Sequence, residues 1–149
     1  HGTVQGFPGT KKITQEQLLV LPCDVLAPAA LENQISKKNA DKIKASVILE
    51  MANGPVSAEA AARLYKRGIS VIPDVLANAG GVTASYFEWL QNMKGEHWSK
   101  EIVLKKLTHY MKKSLKDVIV MQKNHKTDLR LAAFMVAVER IVKAMKNSR

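Results

Sequence analysis

The chain has 149 residues, 46% of them apolar and 24% charged, the proportions of an ordinary globular domain able to bury roughly two-thirds of its unfolded surface. No apolar run approaches the roughly 20 residues that a membrane-crossing helix requires, so no segment is expected to cross a bilayer, and the one cysteine, Cys23, excludes an internal disulfide. The formal net charge is +10, but residues 1–99 carry ten Lys/Arg against nine Asp/Glu and residues 100–149 carry thirteen against four, so the basic excess lies in the C-terminal third.

The opening HGTVQGFPGTKK has neither an initiator methionine nor the charged-then-apolar layout of a signal peptide. Targeting is therefore not read from this stretch; the lone cysteine leans towards a reducing compartment, and the cytoplasm is expected, with the mitochondrial matrix as an alternative. Thr14 and Gln17 form a capping-box pair and predict a helix start. Cys23, between LP and DVLA, is expected to be small, buried and unreactive at a strand edge.

Three short runs rich in Val, Ile and Leu follow, at residues 24–30, 45–53 and 68–75. They read as strands covered on both faces. Ser36 before KKNADKIKA and Ser57 before AEAAARLYKRG open intervening helices, the second with Glu59 against the helix dipole and Gly68 at its end. Alternation of strand and helix implies an α/β fold with parallel pairing through right-handed crossovers. After the third strand, PDVLANAGGV predicts a bend of small residues, with a helix starting beyond Gly81.

From Ser99 onward the pattern is helical. Leu104, Leu107, Met111, Leu115 and Val118 recur at three- and four-residue steps, and Phe134, Val138, Ile141 and Met145 do so after a break at KNHKTD. Two long amphipathic helices are expected, capped by Ser99 and Thr127. Residues 1–98 and 99–149 are accordingly expected to be two units, an α/β part and a helical part packed on it. The interspersed lysines read as solvated helix faces; the alternative is a basic helical module that binds nucleic acid. His97, His109 and His125 are too irregularly spaced for a metal-ligand pair on one helix face, and no metal site is expected.

Ligands of an open parallel sheet bind beyond the carboxyl ends of its strands. Here those ends are PAALEN, ANGP and LANAGG, each combining small residues with an asparagine whose amide can donate and accept. Any one alone reads as an ordinary turn. Three on one rim make a candidate crevice, beside which Asp74 is expected to fix a loop.

LPCDVLAPAALENQI, EMANGPVSAEA and VIPDVLANAGGVTASYFEWLQN, in this order and spacing, closely resemble the C-terminal portion of the Glu/Leu/Phe/Val dehydrogenase family, and SYFEWLQN looks like its glutamate branch. The resemblance runs from GFPG through AVERI. It implies the C-terminal half of a Rossmann-like dinucleotide-binding domain followed by closing helices, NAD or NADP as cofactor, and reversible oxidative deamination of L-glutamate to 2-oxoglutarate and ammonia. By position, Asn78 matches the family residue that holds the nicotinamide carboxamide and Asn53 the one near the nicotinamide ribose. Ala29 and Ala30 match the small residues lining the cofactor, and Val82 and Ser85 the pair that contacts the glutamate side chain. A leucine, phenylalanine or valine dehydrogenase is the alternative within the family.

The family also has a G-x-G-x-x-G turn, substrate-binding lysines and an acid/base Lys/Asp pair, and no stretch of this sequence corresponds to them. No catalytic residue is therefore expected in this chain, which is expected to be inactive alone. The whole enzyme is expected to be a homo-hexamer, and this piece a monomer or a dimer paired through a sheet edge.

Overall fold

The computed structural model describes residues 6–147. Residues 1–5 of the stretch considered above for targeting lie outside them. Helix α1, Gln15–Leu19, opens with the expected capping box: Thr14 Oγ1 accepts from the Gln17 N–H at 3.1 Å and Gln17 Oε1 accepts from the Thr14 N–H at 2.9 Å.

Strands β1 (Val25–Leu26), β2 (Val47–Leu49) and β3 (Ser70–Ile72) pair in parallel in the order β1-β2-β3. Val25 lies opposite Val47, and Ile48 opposite Val71. All three expected strands form, but the ladders stop early. Pro28 has no N–H to give to β2, its carbonyl accepts from both the Met51 and Ala52 N–H groups at 3.1 and 2.9 Å, and beyond β3 the Asp74 N–H turns to the Glu50 side chain at 2.7 Å.

The helix expected after Ser36 is reduced to a 3₁₀ turn at Ala40–Lys42. Local side chains compete for its backbone: Asn39 Oδ1 accepts from the Ser36 N–H at 2.8 Å and Asn39 Nδ2 donates to the Gln34 carbonyl at 2.8 Å. Arg67 then takes the Ala40 and Ile43 carbonyls that would otherwise serve a longer helix. Helix α2, Ala58–Lys66, does form as expected, with Ser57 Oγ accepting from the Ala60 N–H at 3.3 Å and Gly68 turning the chain out at φ +74°.

The sheet separates two apolar clusters. Ile35, Ile43, Ile48, Val56, Leu64 and Ile69 gather with Val71, while Leu76, Val118, Ala132, Ala133 and Val136 gather with Ile72. Successive strand residues point to opposite faces, so Val71 and Ile72 assign the clusters to the two sides of β3. Coverage is incomplete at the outer strand: Val25 is 54% exposed and Cys23 is exposed. Burial of Cys23 is thus corrected. Among the described residues β1 has a neighbour on one side only, so nothing there encloses the thiol.

The expected bend after β3 is helical. Helix α3, Asp74–Ala77, starts directly after Pro73, and α4, Ala79–Lys94, follows with Asn78 as the joint. Helix can begin this early because Glu50 Oε2 accepts from the Asp74 N–H at 2.7 Å and Asp74 Oδ1 accepts from the Val75 N–H at 2.8 Å, satisfying first-turn donors. Gly80 and Gly81 therefore lie in the first turn of α4 and Ser85 in its second, so the helix starts before Gly81 and not beyond it as expected.

Gly95, at φ +65°, ends α4. Phe87 is buried against the rings of Trp98 and Tyr110, at 5.9 and 5.5 Å between centroids, which packs α4 on α5, Lys100–His125. Ser99 caps α5 as expected, accepting from the Ile102 N–H at 3.4 Å. Helix α6, Leu129–Asn147, is capped by Asp128, whose Oδ1 accepts from the Leu131 N–H at 2.9 Å, and not by Thr127. Asp128 stands immediately before the helix, where its carboxylate reaches the free donors. The stripe that marks α6 in sequence also points outward: Phe134, Val138, Ile141 and Met145 are 49 to 64% exposed, while Ala132, Ala133 and Val136 pack inward. No described helix is long and apolar enough to cross a membrane.

Candidate functional site

The three rim loops are bound to one another. The Asn33 N–H donates to the Gly54 carbonyl and the Ile35 N–H to the Pro55 carbonyl, both at 2.9 Å, joining the loop after β1 to the loop after β2. The Gly54 N–H in turn donates to Asp74 Oδ2 at 2.8 Å, joining the second loop to α3. Asp74 thus fixes a loop, as its place at a strand end suggested.

This framework opens a crevice of about 600 Å³ whose lining includes Ala30, Ala52, Asn53, Asn78 and Val82. Four of the six positions singled out by sequence, Ala30, Asn53, Asn78 and Val82, are brought together there. Ala29 and Ser85 are not part of the lining. Ala29 is the exposed neighbour of Ala30, and Ser85 is exposed one turn beyond Val82 on the helix face shared by positions 78, 82 and 85.

Asn78 Nδ2 donates to Asn53 Oδ1 at 2.7 Å across the crevice. With the pair so oriented, Asn78 Oδ1 remains an acceptor and Asn53 Nδ2 a donor. A planar carboxamide carries the complementary donor and acceptor, so the donor set fits such a group. Gly80 and Gly81 leave space beside it: a Cβ added at either meets no atom within 4 Å. Each glycine costs the helix about 0.5–1 kcal/mol relative to alanine, and packing within the chain demands neither.

Behind the amides lies a charged cluster that sequence reading missed. Glu50, fully buried at the end of β2, and Asp74 share the guanidinium of Arg130 from α6: Nη2 pairs with Glu50 Oε2, and Nη1 with Asp74 Oδ1 at 2.9 Å. Burial pushes the Glu50 carboxyl above its usual range, and the Asp74 N–H and Arg130 offset only part of this. Burial acts on Asp74 in the same direction, but the Gly54 and Val75 N–H groups and Arg130 outweigh it and hold that carboxyl low. The available signal was a glutamate closing the apolar run ASVILE and an arginine inside LRLAAF. Among the described residues, no group of three or more His, Cys, Asp or Glu could hold a metal ion.

A parallel-sheet rim, an amide pair and an open glycine turn match the resemblance carried by the three motifs. The model of the Glutamate/Leucine/Phenylalanine/Valine dehydrogenase family matches residues 1–149. The chain belongs to that family. Among relatives in the Glu/Leu/Phe/Val dehydrogenase family, it is 49% identical over 134 residues to a cryptic catabolic NAD-specific glutamate dehydrogenase of Bacillus subtilis, covering 90% of this chain and 31% of the relative. It is 46% identical over 146 residues to a glutamate dehydrogenase of Thermotoga maritima, covering 98% and 35%. The fold superposes with a TM-score of 0.88 on the hetero-hexameric glutamate dehydrogenase of Thermus thermophilus in a leucine-bound form, at 30% identity, covering 97% of this chain and 35% of that one. The chain spans about a third of the length of the curated relatives it matches.

Proposed function

We propose that this chain supplies the second half of a Rossmann-like dinucleotide-binding domain, with its closing helices, to an NAD(P)-dependent glutamate dehydrogenase that interconverts L-glutamate with 2-oxoglutarate and ammonia. The observation that carries this reading is the Asn53–Asn78 amide pair, 2.7 Å apart over a crevice of small residues at the carboxyl rim. In this reading Asn78 orients the carboxamide and Asn53 the adjoining ribose, while Ala29 and Ala30 let the dinucleotide approach the backbone. Val82 and Ser85, on the same face of α4, meet the substrate side chain, and the Ser85 hydroxyl suits a carboxylate better than an apolar amino acid. Hydride acceptance is the chemistry that a nicotinamide dinucleotide supplies when bound. The NAD specificity of the Bacillus relative favours NAD over NADP.

This chain holds and orients, and the proton chemistry comes from elsewhere in the enzyme. Amine oxidation needs a positioned base, and Asp74 is committed to Gly54, Val75 and Arg130. The chain alone is therefore inactive. Among the described residues one edge of β1 has no partner strand, which supports pairing through that edge when the chain is isolated.

Quenching or enhancement of NADH fluorescence on titration with the chain tests the reading. Binding that weakens in both Asn78→Ala and Asn53→Ala supports it. Binding unaffected by both, or glutamate-dependent turnover by the isolated chain, contradicts it.

A further inference from the structure

Helix α6 does not line the crevice, yet its second residue reaches the supports of both amides. Glu50 lies three residues before Asn53 on the end of β2, and Asp74 lies one helical turn before Asn78, whose N–H donates to the Asp74 carbonyl at 3.1 Å. Glu50 Oε2 accepts from the Asp74 N–H, and Asp74 Oδ2 accepts from the N–H of Gly54, the residue adjoining Asn53. Arg130 closes this circuit by bridging the two carboxylates. No other cation among the described residues pairs with either carboxylate.

The geometry points to Arg130 as a positioning residue: its guanidinium, through Glu50 and Asp74, sets the spacing of the Asn53 and Asn78 amides and so preorganises the dinucleotide site from a helix that never touches the ligand. This rests on the dinucleotide-binding reading above. A planar fork suits the task because it fixes the relative orientation of two carboxylates, whereas an ammonium supplies charge without that orientation. Simple anchoring of α6 would not need it, since buried ion pairs can be replaced by packed apolar residues without loss of stability. Glu50 Oε1 is buried with no hydrogen-bond partner, so the orientation of this carboxylate rests on the two donors at Oε2.

The test compares Arg130→Met and Arg130→Lys with Val136→Ala, a change in the inward face of α6 that leaves the clamp alone. Two quantities are read under conditions where each protein is folded: NAD affinity, and the side-chain NH₂ resonances of Asn53 and Asn78 in the ligand-free chain. Arg130→Met is expected to shift or broaden those resonances and to weaken NAD about tenfold, the scale of ordering two side chains on binding. Arg130→Lys is expected to recover part of both, and Val136→Ala to leave both as in the wild type. If Arg130→Met leaves the resonances unmoved, or Val136→Ala disturbs them equally, Arg130 is a structural anchor only and the inference falls. If the whole enzyme that contains this chain binds no NAD, the functional reading fails separately, and the resonances of the free chain still decide whether Arg130 positions the pair.

Discussion

The N–H of Gly54 donates to the carboxylate of Asp74 at 2.8 Å, across 20 residues of sequence. This bond ties the loop after β2 to the helix after β3, the two segments that carry Asn53 and Asn78, whose amides lie 2.7 Å apart. Asp74→Ala leaves the Gly54 and Val75 N–H groups without their acceptor and is expected to cost about 2 kcal/mol. Urea unfolding measures the loss. Hydrogen exchange should show the Gly54 amide losing protection out of proportion to the amides of α2.

Glu50 and Asp74 act on stability with opposite sign. Glu50 is raised above its ordinary 4.5, so its contribution is complete below that pH and is lost as pH rises through the raised value. Asp74 is held below its ordinary 3.8, so its contribution is present above that pH and is lost as pH falls through the lowered value. Glu50→Gln removes the first effect. The difference in unfolding free energy, wild type minus variant, should therefore decline as pH rises from 4.5 through the raised value and level off above it. A difference that grows with pH contradicts the assignment. Arg130→Met has the opposite sign. Without the guanidinium the Glu50 carboxyl rises further, and the variant itself loses stability more steeply as pH rises. Wild type minus variant should grow with pH to about 3 kcal/mol near neutral pH, where a buried carboxylate is left unpaired.

Gly80 and Gly81 separate folding from binding. Each sits in the first turn of α4 with open space where a Cβ would stand. Alanine at either position should raise stability by about 0.5–1 kcal/mol and, if the ring lies against this turn, weaken NAD binding. Thermal unfolding and NAD titration of the same variants check both signs. Alanine that stabilises without weakening NAD would leave the glycines with no role in binding.

The two faces of α6 allow one substitution to be made twice. Val136→Ala removes methyl groups from the inner cluster and should cost about 2 kcal/mol, while Val138→Ala, on the side that is 57% exposed, should stay within about 0.5 kcal/mol of wild type. Equal losses in chemical denaturation would show that the outward stripe is covered in solution.

Much of this architecture is legible in the sequence because its signals are local. The Thr14–Gln17 capping box, the Ser57 and Ser99 caps and the three apolar runs each declare themselves within a few residues, and each forms. The failures are places where distant groups decide. The helix after Ser36 shrinks because Arg67 takes its carbonyls, and α3 and α4 replace a bend because Glu50 supplies a first-turn acceptor. Periodicity located α6 but could not choose between two apolar faces. At the candidate site, Asn53, Asn78, Ala30 and Val82 stand out by composition and family resemblance, whereas the Glu50–Arg130 pair spans 80 residues and leaves no local pattern.

The most direct test of the amide-pair account is titration of the ¹⁵N-labelled chain with NAD, followed residue by residue. The account predicts saturable shifts at Ala30, Asn53, Asn78, Gly81 and Val82, including the side-chain NH₂ groups of both asparagines, with little change along the outer face of α6. Shifts confined to α5 and α6, or saturable binding that leaves both asparagines unmoved, would contradict it.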